Sequence, residues 1–292
     1  MPTSLLLGFP DYSAAAHRLA QCLNLPCEIA VLHRFPDGES KLRLPTGLPE
    51  RLIVCRSLDH PNDKLIELLL TAETARAAGV KHLTLVAPYL CYMRQDMAFA
   101  PGEAVSQRII APWLGRLFDT VITVDPHLHR IDELREVMPA ARAITLSAGN
   151  LIGDLLKARL GAPLLVGPDS ESRQWVARIA AHAGLEFLIA EKQRRSDHEV
   201  DIALPPGELR GRTAVIVDDM ASTGRTLATT AALLYQAGAA TVHCCVTHPL
   251  FVGDAITVLH AAGVQQIWSS DSVPHASNAF TLAPLLAAAL AG

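Results

Sequence analysis

Short runs of uninterrupted apolar residues alternate with segments of helical spacing along most of this chain, and that alternation limits the fold more than any other feature. Leu5–Leu7, Leu52–Cys55, Leu83–Ala87 and Thr120–Val124 have the length and composition of strands, while Asp63–Ala78 and Val105–Leu117 carry apolar residues at helical spacing. The pattern resumes with strands at Leu164–Val166, Phe187–Ala190, Ala214–Val217 and Thr241–Val246 and helices at Glu171–Ala183 and Thr226–Ala237. Strands that are apolar on both faces belong in a parallel sheet covered on both sides by helices. The expected fold is therefore α/β, built from βαβ units in doubly wound parallel sheets.

The chain has 292 residues, room for two such domains. The expected division is 1–144 and 145–292, with the boundary near Ala140–Ser147. A closing helix is expected at about 280–291, placed to pack back on the N-terminal domain. The two halves look alike in plan, each with an apolar strand ending in acid, at Val121–Asp125 and Val215–Asp219.

Half of the residues are hydrophobic and the net charge is −4. That composition supports a large core and argues against disorder and against a dedicated nucleic-acid surface. Six cysteines without a C-x-x-C pair are expected to be reduced, buried thiols. The uncharged stretch Thr226–Gly253 is broken by Gln236, Gly238, His243, His248 and Pro249, so it is expected to form helix, turn and strand and not a membrane span. With no signal peptide at the N-terminus, the expected location is the cytoplasm.

The sharpest motif is Ala214-Val-Ile-Val-Asp-Asp-Met-Ala-Ser-Thr-Gly-Arg-Thr226. A buried strand carries Asp218 and Asp219 to its C-terminal end, where ligands bind in open α/β sheets. Ser222, Thr223, Gly224, Arg225 and Thr226 follow, ahead of a helix. Small residues and a helix N-terminus make a cradle of N–H groups for an anion. Carboxylates beside a phosphate cradle suit a phosphorylated sugar, its hydroxyls donating to the acids, or a Mg²⁺ held there.

This loop resembles the phosphoribosyl-diphosphate-binding loop of type I phosphoribosyltransferases and of ribose-phosphate diphosphokinases. The latter commonly have Asp where Ser222 stands and Gly where Arg225 stands. Further segments resemble the diphosphokinases alone: Arg34-Phe-Pro-Asp-Gly-Glu39, Pro88–Asp96 with Arg94 and Gln95, Thr123–His129, Val166–Arg173, Ala190–Val200 with Lys192 and Arg194, and Thr247–Gly253. Together they span nearly the whole chain. No Walker A loop, G-x-G-x-x-G or H-E-x-x-H is present.

The resemblance implies phosphoribosyltransferase-like domains and transfer of the diphosphoryl group of Mg-ATP to the 1-hydroxyl of ribose 5-phosphate. It places Phe35, Asp37 and Glu39 at the adenine of ATP, with Arg94, Gln95 and His127 also on the nucleotide. His127 and Asp169 would hold Mg²⁺; His129 receives no role. Lys192 and Arg194 match the Lys-x-Arg of the family's mobile catalytic loop, with Arg194 also on ribose 5-phosphate. Asp218, Asp219 and Ser222–Thr226 would bind that sugar phosphate. A homo-oligomer, dimer or larger, is implied as well. Two other readings remain open at this point: a non-catalytic regulatory homologue, for which Glu171-Ser172 and Arg225 are the best support, and a type I phosphoribosyltransferase.

Overall fold

The computed structural model describes residues 4–128, 130–194, 200–203 and 209–291, with backbone alone at 191–194 and 200–203. The chain falls into two compact units, one of Met1–Leu146 with Thr281–Gly292 and one of Ser147–Phe280.

The first unit begins with β1 (Ser4–Gly8), α1 (Ser13–Leu23), β2 (Cys27–Ile29), β3 (Val31–Arg34), β4 (Ser40–Arg43) and β5 (Arg51–Cys55). It continues through α2 (Pro61–Ala77), β6 (His82–Val86), α3 (Gln107–Leu117), β7 (Thr120–Val124) and β8 (Arg142–Leu146). Six strands form one sheet in the order β2-β1-β5-β6-β7-β8, and every pairing in it is parallel. β3 and β4 form a separate antiparallel hairpin. Leu6, Leu7, Val54, Leu83 and Leu85 are inaccessible or nearly so. Each such side chain contributes about 1.5–3 kcal/mol by leaving water.

The second unit repeats the plan. It comprises α4 (Gly149–Leu160), β9 (Leu164–Gly167), α5 (Arg173–Ala183), β10 (Phe187–Ile189), β11 (Glu191–Arg194), β12 (Val200–Ala203) and β13 (Thr213–Ala221). α6 (Arg225–Gln236), β14 (Thr241–Pro249), α7 (Ala255–Ala261), β15 (Ile267–Ser270) and β16 (Asn278–Phe280) complete it. The sheet order is β10-β9-β13-β14-β15-β16, again all parallel, with β11 and β12 as the antiparallel hairpin. One face packs on α6 and α7 through Val166, Ile216, Val246, Leu227, Leu234 and Leu259. The last helix, α8 (Ala283–Ala291), packs against α1 within the first unit. The doubly wound α/β architecture is as expected.

Several local expectations need correction. The units divide between Leu146 and Ser147, within the expected boundary stretch, most of which is β8, with Thr145 and Leu146 paired to Thr123 and Val124. β13 does not stop at Val217 but runs on through Asp218 and Asp219, held by β14, which extends to Pro249. The hairpins and the edge strands β2 and β16 escape periodicity because they are three or four residues long, whereas β10 falls on the expected strand Phe187–Ala190. α2 starts two residues early, since Pro61 fits the first helical position, where no N–H is needed. The closing helix begins at Ala283 and not at Phe280, which belongs to β16. All six cysteines are free, but Cys22 is exposed and Cys27 half-buried; only Cys55, Cys91, Cys244 and Cys245 are interior thiols. Among the described residues no helix is long and apolar enough to cross a membrane.

Candidate active site

In the second unit the chain leaves β9 through α5 to β10 on one side, and β13 takes the other side, so the sheet's winding reverses between β9 and β13. Ligands of open α/β sheets bind at such a reversal, outside the strands' C-terminal ends. Three sequence-predicted acids are there. Asp218 and Asp219 ride on the C-terminal half of β13, and Asp169 stands two residues past β9. Asp219 is buried, and its N–H donates to Asp218 Oδ1 at 3.0 Å. Asp169 Oδ1 accepts from the N–H groups of Glu171 at 3.1 Å and Ser172 at 3.2 Å. Ser172, fully buried, returns its hydroxyl to the Asp169 carbonyl at 2.6 Å. That turn delays α5 to Arg173 and shows how Glu171-Ser172 is accommodated. Burial, joined by the charges of Asp219 and Asp169, pushes the Asp218 carboxyl well above its ordinary range.

The phosphate-type loop follows. Phe251 N–H donates to the Ala221 carbonyl at 2.9 Å and Val252 N–H to that of Ser222 at 3.0 Å, pinning the backbone as it leaves β13. Gly224 then caps α6 with φ 71°, and a Cβ there would lie 3.2 Å from the Ala255 carbonyl oxygen. Only glycine meets both conditions without strain. No side chain caps α6, so the N–H groups of its first turn are available to an anion. Ser222 is half-buried; Thr223, Arg225 and Thr226 are exposed around the loop. Arg225 Nη2 lies 3.9 Å from Asp254 Oδ1.

Lys192 and Arg194 stand on β11, opposite Ile202 and Val200 of β12. Their side chains lie outside the described part of the structure, and so does His129.

In the first unit the segment predicted as a turn closes the β3–β4 hairpin. Phe35 N–H donates to the Glu39 carbonyl at 2.8 Å, and Gly38, at φ 95°, donates to that of Phe35 at 2.9 Å. Asp37 Oδ1 accepts from the Glu39 N–H at 3.2 Å. Phe35 is 41% exposed with its ring edge-on to His33, so it presents an aromatic face to solvent. Arg94 is exposed on the loop after β6; Gln95 beside it accepts from the Ser106 hydroxyl at 3.2 Å. His127 is half-buried in the loop after β7. Both loops hold a non-glycine residue at positive φ, Tyr92 at 60° and Asp125 at 38°. Such conformations cost about 1–3 kcal/mol each and cluster at binding sites.

A magnesium ion fits the acid cluster by donor chemistry. Mg²⁺ prefers hard oxygen, keeps several waters and joins proteins through one or two carboxylates plus substrate phosphates. The crowding of Asp169, Asp218 and Asp219 is a repulsion that a cation would relieve. Among the described residues no three His, Cys, Asp or Glu side chains form a metal cage. His127 is a softer donor than these oxygens.

Sequence reasoning missed a buried ionic cluster under the Phe35–Glu39 turn. Arg56, 2% exposed, reaches Glu67, 0% exposed, with Nη2 2.7 Å from Oε2, and its Nε lies 3.2 Å from Asp11 Oδ1. Its guanidinium stacks 4.2 Å from the Phe9 ring centroid. Lys64 joins Asp11 at 3.0 Å and Asp59 at 2.8 Å. These cations hold the Asp11 carboxyl below its usual range even though burial alone would raise it. The available signal was Lys64 and Glu67 falling among the buried positions Leu65, Leu68 and Ala72 of α2, since charges in an apolar stripe have partners.

Two family models match the chain: the N-terminal domain of ribose phosphate pyrophosphokinase over residues 6–117 and the phosphoribosyl transferase domain over residues 131–256. The ribose-phosphate pyrophosphokinase of Methanopyrus kandleri is 36% identical over 289 residues, covering 98% of each chain. That of Saccharolobus solfataricus is 32% identical over 274 residues, covering 92% of this chain and 93% of its own. In fold the chain matches the crystal structure of phosphoribosylpyrophosphate synthetase from Mycobacterium smegmatis with a TM-score of 0.87 at 22% identity, over 99% of this chain and 98% of that one.

Proposed function

The chain belongs to the ribose-phosphate pyrophosphokinase family, and on that footing we propose that it moves the β,γ-diphosphoryl group of ATP to the 1-hydroxyl of ribose 5-phosphate. The 1-oxygen attacks the β-phosphorus in line as the bond to the α,β-bridging oxygen breaks. AMP leaves, the hydroxyl proton passes to solvent, and 5-phosphoribosyl 1-diphosphate forms.

Transfer of this kind needs positioning and cancellation of charge on the non-bridging oxygens more than it needs covalent chemistry. The Ser222–Thr226 loop and the α6 N-terminus hold the 5-phosphate. Asp218 and Asp219 accept from the 2- and 3-hydroxyls, which fixes the sugar. On the nucleotide, Phe35 stacks on adenine, and Asp37 and Glu39 accept from its exocyclic amine. Arg94 grips phosphate oxygens with its fork; Gln95 and His127 hydrogen-bond beside it. Lys192 and Arg194 meet the charge that builds on the diphosphoryl group, and Arg194 also holds the sugar phosphate. Asp169, with His127, would hold Mg²⁺, which when bound neutralises the polyphosphate. The protein acts as a homo-oligomer in the cytoplasm, without nucleic acid or membrane as partner.

The observation that carries this reading is the run of β13 into α6: two acids for sugar hydroxyls, then an uncapped helix N-terminus for a phosphate, on one continuous rigid segment. The test is AMP release from Mg-ATP by purified protein with and without ribose 5-phosphate. AMP formed only when the sugar phosphate is present supports the assignment; AMP formed at the same rate without it overturns it.

A further inference from the structure

The Phe35–Glu39 turn projects from a ribbon of four residues per strand, and a two-stranded ribbon is marginal in water unless something packs against it. The first two turns of α2 grip it. Arg34 and Ser40 face each other as the last cross-strand pair before the turn. Ser40 Oγ donates to Glu67 Oε1 at 2.8 Å, and Arg34 Nη2 lies 3.6 Å from the same oxygen. Arg34 Nη1 lies 2.9 Å from Asp63 Oδ2. Asp63 and Glu67 are four residues apart on α2, so both meet the ribbon from one face.

Behind Glu67 stands Arg56, fixed in turn by Asp11 and the Phe9 ring at the ends of β5 and β1. Contacts thus run without a break from the C-terminal ends of two interior strands, through Glu67, to both feet of the turn. A cavity of about 270 Å³ lined by Gly38, Glu39, Ser40, Asp63 and Ile66 lies between turn and helix. Side-chain packing therefore does not fill the space there, and the polar anchor sets where the turn stands.

We propose that Glu67 is a positioning residue for nucleotide binding: acting through Ser40 and Arg34, it fixes the height and direction of the turn that carries Phe35, Asp37 and Glu39. This rests on the assignment of that turn to adenine. Glu67 itself has no part in the chemistry, and its loss weakens ATP binding without slowing transfer from bound ATP.

The test is steady-state kinetics on full-length Ser40→Ala, Ser40→Thr, Glu67→Gln and Phe35→Ala, with a melting temperature for each. Ser40→Ala is expected to raise the KM for ATP about tenfold, the scale of one hydrogen bond to a charged acceptor, with kcat and the KM for ribose 5-phosphate within about twofold. Ser40→Thr, which keeps the hydroxyl, restores the KM for ATP. Glu67→Gln raises that KM and also lowers Tm, because Arg56 loses its buried counter-charge. An unchanged KM for ATP in Ser40→Ala, beside a raised one in Phe35→Ala, overturns the positioning role and leaves the adenine turn standing. An unchanged KM in Phe35→Ala overturns both. Equal rises in both substrates' KM values mark general loosening and also overturn it.

Discussion

Gly8 and Gly167 occupy the same station in the two sheets. Gly8 ends β1 and accepts from Ala30 N–H at 2.9 Å; Gly167 ends β9 and accepts from Ala190 N–H at 2.8 Å. A Cβ on Gly8 would meet Ile29 Cδ1 at 2.8 Å, and one on Gly167 would meet Ile189 Cδ1 at 2.6 Å. Gly8 pairs with Cys55 on β5, and the register of β9 with β13 sets Gly167 beside Val217. One residue on, Arg56 stands in the first unit where Asp218 stands in the second. The same crevice is thus closed by an internal cation in one unit and lined by acids in the other. In the first unit Arg56 is neutralised by Glu67; in the second the acids crowd one another.

That crowding is a cost to the fold that a functional site bears. Asp218→Asn removes the carboxyl that burial and the charges of Asp219 and Asp169 disfavour, and keeps the Oδ1 that accepts from Asp219 N–H. With a chelator present, Tm is expected to rise by about 2–4 °C, the scale of 1 kcal/mol in a chain of this size, while turnover with ribose 5-phosphate is lost. Differential scanning fluorimetry beside the AMP assay checks both halves.

Gly224→Ala puts a side chain at φ 71°, 3.2 Å from a backbone oxygen. A cost of about 1–3 kcal/mol in stability is expected. The KM for ribose 5-phosphate should rise while that for ATP stays near the wild-type value, because the loop and not the Phe35–Glu39 turn is deformed. Thermal unfolding and paired substrate titrations measure this.

The parallel sheets were legible because Leu52–Cys55, Leu83–Ala87 and Thr120–Val124 are apolar on both faces, a pattern few other folds use. Asp218, Asp219 and the Ser222–Thr226 loop were legible because a strand–turn–helix junction is a local feature. The β3–β4 ribbon was not, since Val31–Arg34 and Ser40–Arg43 are short, mostly exposed and rich in polar residues. The likeness of the two halves was legible in plan, but the match of Val121–Asp125 with Val215–Asp219 was not the structural one: the strand equivalent to β13 is β5, which leads to Arg56 and not to an acid. The buried Glu67–Arg56 pair joins distant elements, and only the tertiary fold brings such partners together.

Lys192→Ala is expected to lower kcat more than tenfold, about 1.4 kcal/mol or more of transition-state stabilisation. Binding of both substrates and the far-ultraviolet circular dichroism should change little. An unchanged kcat removes Lys192 from the mechanism.

His243, 6% exposed, packs on Trp268 at 5.0 Å between centroids with the rings tilted by 33°, and its Nδ1 has no hydrogen-bond partner among the described residues. Burial lowers its pKa below the ordinary 6.5, so the unfolded chain takes up the proton more readily. Its contribution to stability is full above about pH 6.5 and fades as pH falls through the lower, folded value. His243 therefore lowers Tm on the acid side while the raised Asp218 carboxyl works the other way in both proteins, so the readout is the difference: Tm of His243→Phe, which keeps a ring on Trp268, should gain on that of the unaltered protein as pH falls. Burial also lowers His275, so a residual acid limb is expected in the variant. Melting curves between about pH 7 and pH 5 give the comparison.

The central claim is transfer of an intact diphosphoryl group to the 1-oxygen of ribose 5-phosphate. Phosphorus-31 NMR of the purified protein with Mg-ATP and ribose 5-phosphate tests it most directly. We expect the ATP resonances to be replaced in step by those of AMP and of a diphosphate ester coupled to the anomeric proton. ADP with a ribose 1-phosphate ester, or no change in ATP while both ligands bind, would contradict it.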